Sequence, residues 1–155
     1  MYEHLDTLTE SSAQLLSSLK PLCAESIEAI RASFPECPSD YLAFIAERGA
    51  GEMEDGLMFF FRGGLVDAAA DVFGDDEIYS KGAVKIFGDD GSETSYGFDT
   101  GANWHLVSVD SFRIVNHLPL TFGEFIEGLL ICYPNYPVGF DGEGWRAATG
   151  ERYLK

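Results

Sequence analysis

The stretch that decides the fold runs from Ala83-Val84-Lys85-Ile86-Phe87 through the turn Gly88-Asp89-Asp90-Gly91-Ser92 to Thr94-Ser95-Tyr96-Gly97-Phe98-Asp99. The first segment is short, apolar and β-branched, as a buried strand requires. The glycine- and aspartate-rich middle is a turn, because these residues tolerate the backbone conformations that reverse a chain. The last segment alternates Tyr96 with Phe98, which puts both rings on one face of a strand. A second reversal at Thr100-Gly101-Ala102-Asn103 leads into Trp104–Val109, and Asp110-Ser111 into Phe112-Arg113-Ile114-Val115. No helical segment separates these strands. Connections this short favour an antiparallel meander over parallel β-α-β units.

Upstream, Leu57-Met58-Phe59-Phe60-Phe61 reads as a further buried strand, and residues 66–80 carry only the short apolar anchors Val72-Phe73 and Ile78-Tyr79. Before these strands the period is helical. Leu8, Leu15, Leu16 and Leu19 predict a helix over 8–19 that Pro21 stops. Ile27, Ile30 and Phe34 share a face of a second helix over 25–33, and Pro35 ends it. A third helix opens near Pro38, buries Tyr41, Leu42, Phe44 and Ile45, and stops at Gly49. After the strands, Leu120-Thr121-Phe122-Gly123-Glu124-Phe125 predicts a capping box between Thr121 and Glu124, with Leu120 and Phe125 as its hydrophobic staple. Phe122, Phe125, Ile126 and Leu129 form the buried stripe of that helix, which ends before Pro134. Residues 133–155, with Trp145 and several prolines and glycines, read as an aromatic extension or short hairpin. The sum is an α+β fold, with N-terminal helices and a C-terminal helix packed on one mainly antiparallel sheet. The 155 residues suit a single domain, with a core over about 24–131.

The charge narrows the choice of partner. The formal net charge is −16. Such a chain repels phosphate backbones and anionic membrane surfaces, so neither nucleic acid nor membrane is an expected partner. The excess is uneven, since residues 51–100 carry twelve acids and three bases. No basic, apolar leader opens the sequence, and the longest strongly apolar runs, Leu57–Phe61 and Leu129–Tyr133, fall far short of the ~20 residues of a membrane span. Cys23, Cys37 and Cys132 are odd in number and widely spaced, which predicts small core residues in a reducing compartment, the cytoplasm.

Catalytic patterns are missing from the sequence. His4, His105 and His117 form no metal-ligand spacing, and neither a nucleophile elbow nor a phosphate-cradling loop occurs. No cofactor and no metal is expected. Two acidic clusters, Asp71–Glu77 and Asp89–Glu93, lack the register of a calcium loop. They read as solvated turns or as part of a partner-binding surface. A pair of carboxylates facing each other for hydrolysis is the enzymatic alternative, because that arrangement is set in space and not in sequence.

Four segments, taken in order, resemble the SUKH superfamily. They are Ile27–Ile30; Phe34-Pro35-Glu36-Cys37-Pro38-Ser39-Asp40-Tyr41 through Arg48-Gly49-Ala50-Gly51-Glu52; Phe87–Ser92 with Tyr96–Asp99; and Leu120–Ile126. The resemblance covers roughly residues 24–131; the N-terminal residues 1–22 and the extension 133–155 lie outside it. It implies an α+β fold without catalysis. Bacterial members of that superfamily are commonly immunity proteins that neutralise a cognate toxin, and a fungal branch regulates cell-wall assembly.

The expected function is therefore a non-catalytic immunity protein that binds a cognate, basic, nuclease-type toxin. A general interaction or regulatory domain of the same fold is the alternative. The expected partner-binding residues are Glu52, Glu54, Asp55, Asp75, Asp76, Asp89, Asp90 and Glu93, with Trp104 or Trp145 as an aromatic anchor.

Overall fold

The computed structural model describes residues 1–53, 59–67, 83–90, 94–110 and 114–131, and the backbone of residues 132, 139–140, 145–146 and 152–153. A 3-10 turn at Glu3–Thr7 precedes α1 (Ser12–Leu16), α2 (Ala24–Ser33) and α3 (Ser39–Glu47). The strands β1 (Gly51–Met53), β2 (Phe59–Asp67), β3 (Val84–Asp89), β4 (Ser95–Asp99), β5 (His105–Val109) and β6 (Val115–His117) follow, and then α4 (Phe122–Cys132). The six strands form one sheet in sequence order, antiparallel throughout. The fold is α+β, as the sequence predicts.

One face of the sheet carries the main core. Phe59 and Phe61 of β2, Phe87 of β3, Tyr96 and Phe98 of β4 and Leu106 of β5 are buried there against Tyr41 and Phe44 of α3 and Phe122 and Phe125 of α4. Phe87 is the hub. Its ring lies 5.1–6.4 Å, centroid to centroid, from those of Tyr41, Phe59, Phe61, Phe98, Phe122 and Phe125. On the opposite face Val84, Ile86, Val107 and Val109 form a smaller buried cluster with Val115 packed on it. The strand β3 serves both faces by the ordinary alternation of its side chains, and its pairing with β4 shifts register between Ile86 and Gly88. Gly88 is needed at that shift, since a Cβ there would stand 2.4 Å from the Phe59 ring.

The predicted capping box forms as drawn. The Glu124 N–H donates to Thr121 Oγ1 at 3.1 Å, and the Thr121 N–H donates to Glu124 Oε1 at 3.0 Å. The third helix also ends where expected, at Gly49 with φ +103°, and a Cβ there would meet the Lys20 carbonyl oxygen at 1.8 Å. That approach lets Lys20 and Ala50 exchange backbone hydrogen bonds at 2.9 and 3.0 Å.

The first helix differs from expectation. In place of one helix over 8–19, the chain makes a 3-10 turn and the five-residue α1. Local hydroxyls account for the break. Ser12 Oγ accepts from the Thr9 N–H and donates to the Thr9 carbonyl, and the Ser17 and Ser18 hydroxyls return to the carbonyls of Gln14 and Leu15. Such bonds compete with the helical ladder. The N-terminal segment is instead held by α3. Arg48 grips the Asp6 carboxylate with two bonds of 2.7 and 3.0 Å and donates to the Tyr2 carbonyl. Met1 pairs with Glu47, and the Tyr2 hydroxyl donates to the Asp40 carbonyl.

Other differences are smaller. Strand β2 starts at Phe59 and continues through Gly63 and Gly64, and residues 54–58 and 68–82 lie outside the described residues. The cysteines divide: Cys37 is buried, Cys23 is exposed at the start of α2 and not in the core, and the Cys132 side chain lies outside what is described. Burial pushes the Cys37 thiol up to about 12, and a hydrogen bond with Ser26 holds the Cys23 thiol below its usual value. In the extension, β7 (Gly139–Phe140), β8 (Trp145–Arg146) and β9 (Arg152–Tyr153) make a small antiparallel sheet, and β8 and β9 lie against α4. None of the described helices is long and apolar enough to cross a membrane.

Two outcomes test this account. Phe87→Ala empties the hub and is expected to cost about 3–5 kcal/mol, read as a lower urea midpoint at unchanged slope. The Arg48 bonds hold the Asp6 carboxyl below its ordinary range. Their stabilisation is therefore complete above the unfolded value of about 3.9 and fades as pH falls through the depressed native one. Asp6→Asn is expected to lower Tm at pH 6 and to leave it unchanged at pH 2.

Candidate functional site

Helices α3 and α4 start side by side at one end of the sheet, and one carboxylate joins them. Asp40, in the first turn of α3, accepts from the Tyr41 N–H through Oδ1 at 2.9 Å. Its Oδ2 accepts from the Gly123 N–H of α4 at 3.2 Å. A carboxylate is favoured there because the first N–H groups of a helix have no partner within it. Asp40 therefore closes one orphan donor in each helix.

Beside this joint lies a cavity of about 460 Å³. Phe98 and Leu106 come to it from the sheet, Pro38, Ser39 and Asp40 from α3, and Leu120, Thr121 and Phe122 from the start of α4. Trp104, from the β4–β5 connection, and His105, the first residue of β5, complete the lining. The Trp104 ring is half-buried and meets Phe34 at 5.8 Å and Phe98 at 5.9 Å. Its backbone is unusual. Asn103 and Trp104 both adopt positive φ, +55° and +57°. Asparagine visits this region readily, whereas a bulky residue there costs about 1–2 kcal/mol. The surrounding bonds impose the bend. Asp99 accepts from the Gly101 N–H at 3.0 Å, and both the backbone and the hydroxyl of Thr100 donate to the Ala83 carbonyl at 2.6 Å.

The opposite face carries a polar pair. The Asp99 carboxylate, 5% exposed, lies 2.9 Å from His117 Nε2. His105 Nε2 donates to the Leu118 carbonyl at 2.8 Å, and the two imidazoles meet edge to face at 5.2 Å. Because a carbonyl only accepts, the His105 proton sits on Nε2. This arrangement fixes the β5–β6 end of the sheet. Among the described residues, no group of three or more His, Cys, Asp or Glu side chains is placed to hold a metal ion.

The acids singled out by sequence meet different fates. Glu52 is exposed on the edge strand β1. Asp89 is half-buried in β3, with Arg62 Nη2 3.7 Å from its carboxylate. Asp90 is 6% exposed, and its carboxylate accepts from the Thr94 N–H within the β3–β4 turn, so it builds that turn instead of projecting from it. Glu54, Asp55, Asp75, Asp76 and Glu93 lie outside the described residues, and of Trp145 only the backbone is described. Sequence reading missed Asp40 as a site residue. Its signal was present, an acid in the first turn of a helix, but its second partner is 83 residues away.

The exposed charge lies largely elsewhere. Glu3, Asp6, Glu10, Glu25, Glu28, Glu36, Glu47 and Glu52 are exposed, against Lys20 and Arg31 among the bases of the described residues. Arg31, Arg48, Arg62 and Lys85 each stand within ion-pair distance of an acid of the same chain: Glu28, Asp6, Asp89 and Asp67. The bases are thus largely matched internally, and the surplus of acid faces solvent.

No family model matches the chain, and neither a curated protein nor a solved structure does so.

The Asp40 joint has a measurable consequence. Asp40→Ala leaves the Gly123 and Tyr41 N–H groups without their acceptor and is expected to cost about 1–3 kcal/mol. Asp40→Asn keeps one acceptor oxygen and should recover part of that loss. Equal stability of all three forms in urea melts would show that the joint contributes nothing.

Proposed function

We propose that this protein is a non-catalytic immunity protein that binds a cognate, basic, nuclease-type toxin and blocks it by surface contact. The observation that carries the reading is the charge arrangement. Internal ion pairs take up most bases of the described residues, while the exposed acids Glu10, Glu25, Glu36 and Glu52 stand outside those pairs. A toxin that must hold a phosphate backbone presents a basic surface. An acidic inhibitor competes for that surface, and complementary fields speed the encounter. Support also comes from the resemblance to the SUKH superfamily. Its motifs fall on α2, α3, the β3–β4 hairpin and the start of α4, all parts of one core. In this reading Glu52 and the acids around the α2–α3 turn supply steering charge, and Trp104 supplies an anchor.

The test is co-expression with the product of the gene beside this chain's own, which this reading expects to be a basic toxin. Cells are expected to survive the toxin, and the two proteins to co-purify. The association rate should fall at least about tenfold between low and high salt, because exposed charges more than a Debye length apart are screened. The double variant Glu36→Lys, Glu52→Lys should associate more slowly at unchanged Tm. Failure both to bind and to protect would sink the proposal. Binding without protection would instead favour a general interaction domain.

A further inference from the structure

We propose that the cavity beside Trp104 seats one arginine side chain of the protein partner. This rests on the function proposed above and assigns its anchor point. The cavity has an apolar floor in Phe98, Leu106 and Phe122, an aromatic wall in Trp104, and a carboxylate in Asp40. Neither lysine nor arginine lines it. Each helix N-terminus contributes about half a positive charge. The Asp40 and Glu124 carboxylates, bonded to the first turns of α3 and α4, outweigh those two halves. Glu36, exposed in the turn that leads into Pro38, adds a further acid nearby. The local field therefore favours a cation and disfavours an acid.

Shape selects among cations. A guanidinium is planar, weakly hydrated and stacks on aromatic faces, whereas an ammonium keeps its water. Its aliphatic stem needs an apolar surface, which the half-buried Trp104 indole provides at the cavity. Each carboxylate oxygen of Asp40 accepts one backbone N–H and has a second lone pair for a guanidinium N–H. The positive φ of Trp104 fits this use, because the β4–β5 connection holds the indole at the cavity and not packed wholly into the core. Backbone held in such a conformation is concentrated at ligand clamps.

The test uses the full chain without its partner. The 15N-labelled protein is titrated with acetyl-arginine amide, its neutral isostere acetyl-citrulline amide and acetyl-glutamate amide. The expected result is saturable shifts of the Trp104 indole N–H and the Thr121 and Gly123 amides with the arginine compound. Affinity for citrulline should be at least fivefold weaker, and the glutamate compound should move none of these signals. Ser39→Trp, which fills the mouth of the cavity, should abolish the arginine shifts while the remaining spectrum keeps its dispersion. Equal response to arginine and citrulline, or arginine shifts that persist in a folded Ser39→Trp protein, would overturn the assignment. Because no toxin is present, these outcomes are separate from the failure of the immunity reading. That failure would be read from survival and co-purification alone.

Discussion

The ring of Phe87 is in contact with α3, α4 and the neighbouring strands at once. A sheet buries one face only if something apolar lies on it, and two helices set side by side leave a furrow along their seam. Phe87 meets Tyr41 from α3 and both Phe122 and Phe125 from α4, and so fills that furrow. Interiors are packed at crystal density, so the positions of these rings fix the distance between the helices. The alternation of side chains along β3 serves the same need. It turns Phe87 to the helical face while Val84 and Ile86 stay with the second cluster.

The aromatic seam also places the candidate site. With Phe122 packed against Tyr41 and Phe44, the first turn of α4 comes beside the first turn of α3. Two helix starts so close would present their unpaired N–H groups to each other. Asp40 resolves this by accepting from both, and the capping box covers a further donor of α4. The cavity is the space that remains between this polar joint and the Trp104 bend. Its acidity is thus a by-product of folding, produced by groups that satisfy the backbone.

What sequence could reveal follows from how far apart the partners are. The capping box was legible because both of its bonds run between residues three apart. The meander was legible because its turns are short and marked by glycine and aspartate. Strand β1 was not, since three residues with an exposed glutamate at the centre carry no period, and pairing with Phe59–Phe61 alone defines it. The break in the first helix was hidden by its leucines, which keep helical spacing while the serines and Thr9 divert the backbone. Trp104 was legible as a candidate by residue type. Asp40 was not, because nothing local links it to Gly123.

Charge is where sequence and structure part most instructively. By count, the acid surplus belongs to residues 51–100. Among the described residues of that segment, Asp67 and Asp89 lie close to bases, and Asp90 and Asp99 are buried in hydrogen bonds that shape turns. These acids are committed to the fold, and Asp90 and Asp99, almost wholly buried, have little surface left for a partner. The helical layer keeps more of its acid in solvent, although Arg48 and Arg31 take Asp6 and Glu28 and the N-terminal amine takes Glu3 and Glu47. Its acids lie on the solvent face of short helices whose other face is spent on the aromatic seam. Surplus charge in a segment is therefore a poor guide to a binding surface until hydrogen bonds are subtracted. After that subtraction, the exposed acids left among the described residues are Glu10, Glu25, Glu36 and Glu52, and Glu36 stands in the turn that leads to the Trp104 cavity.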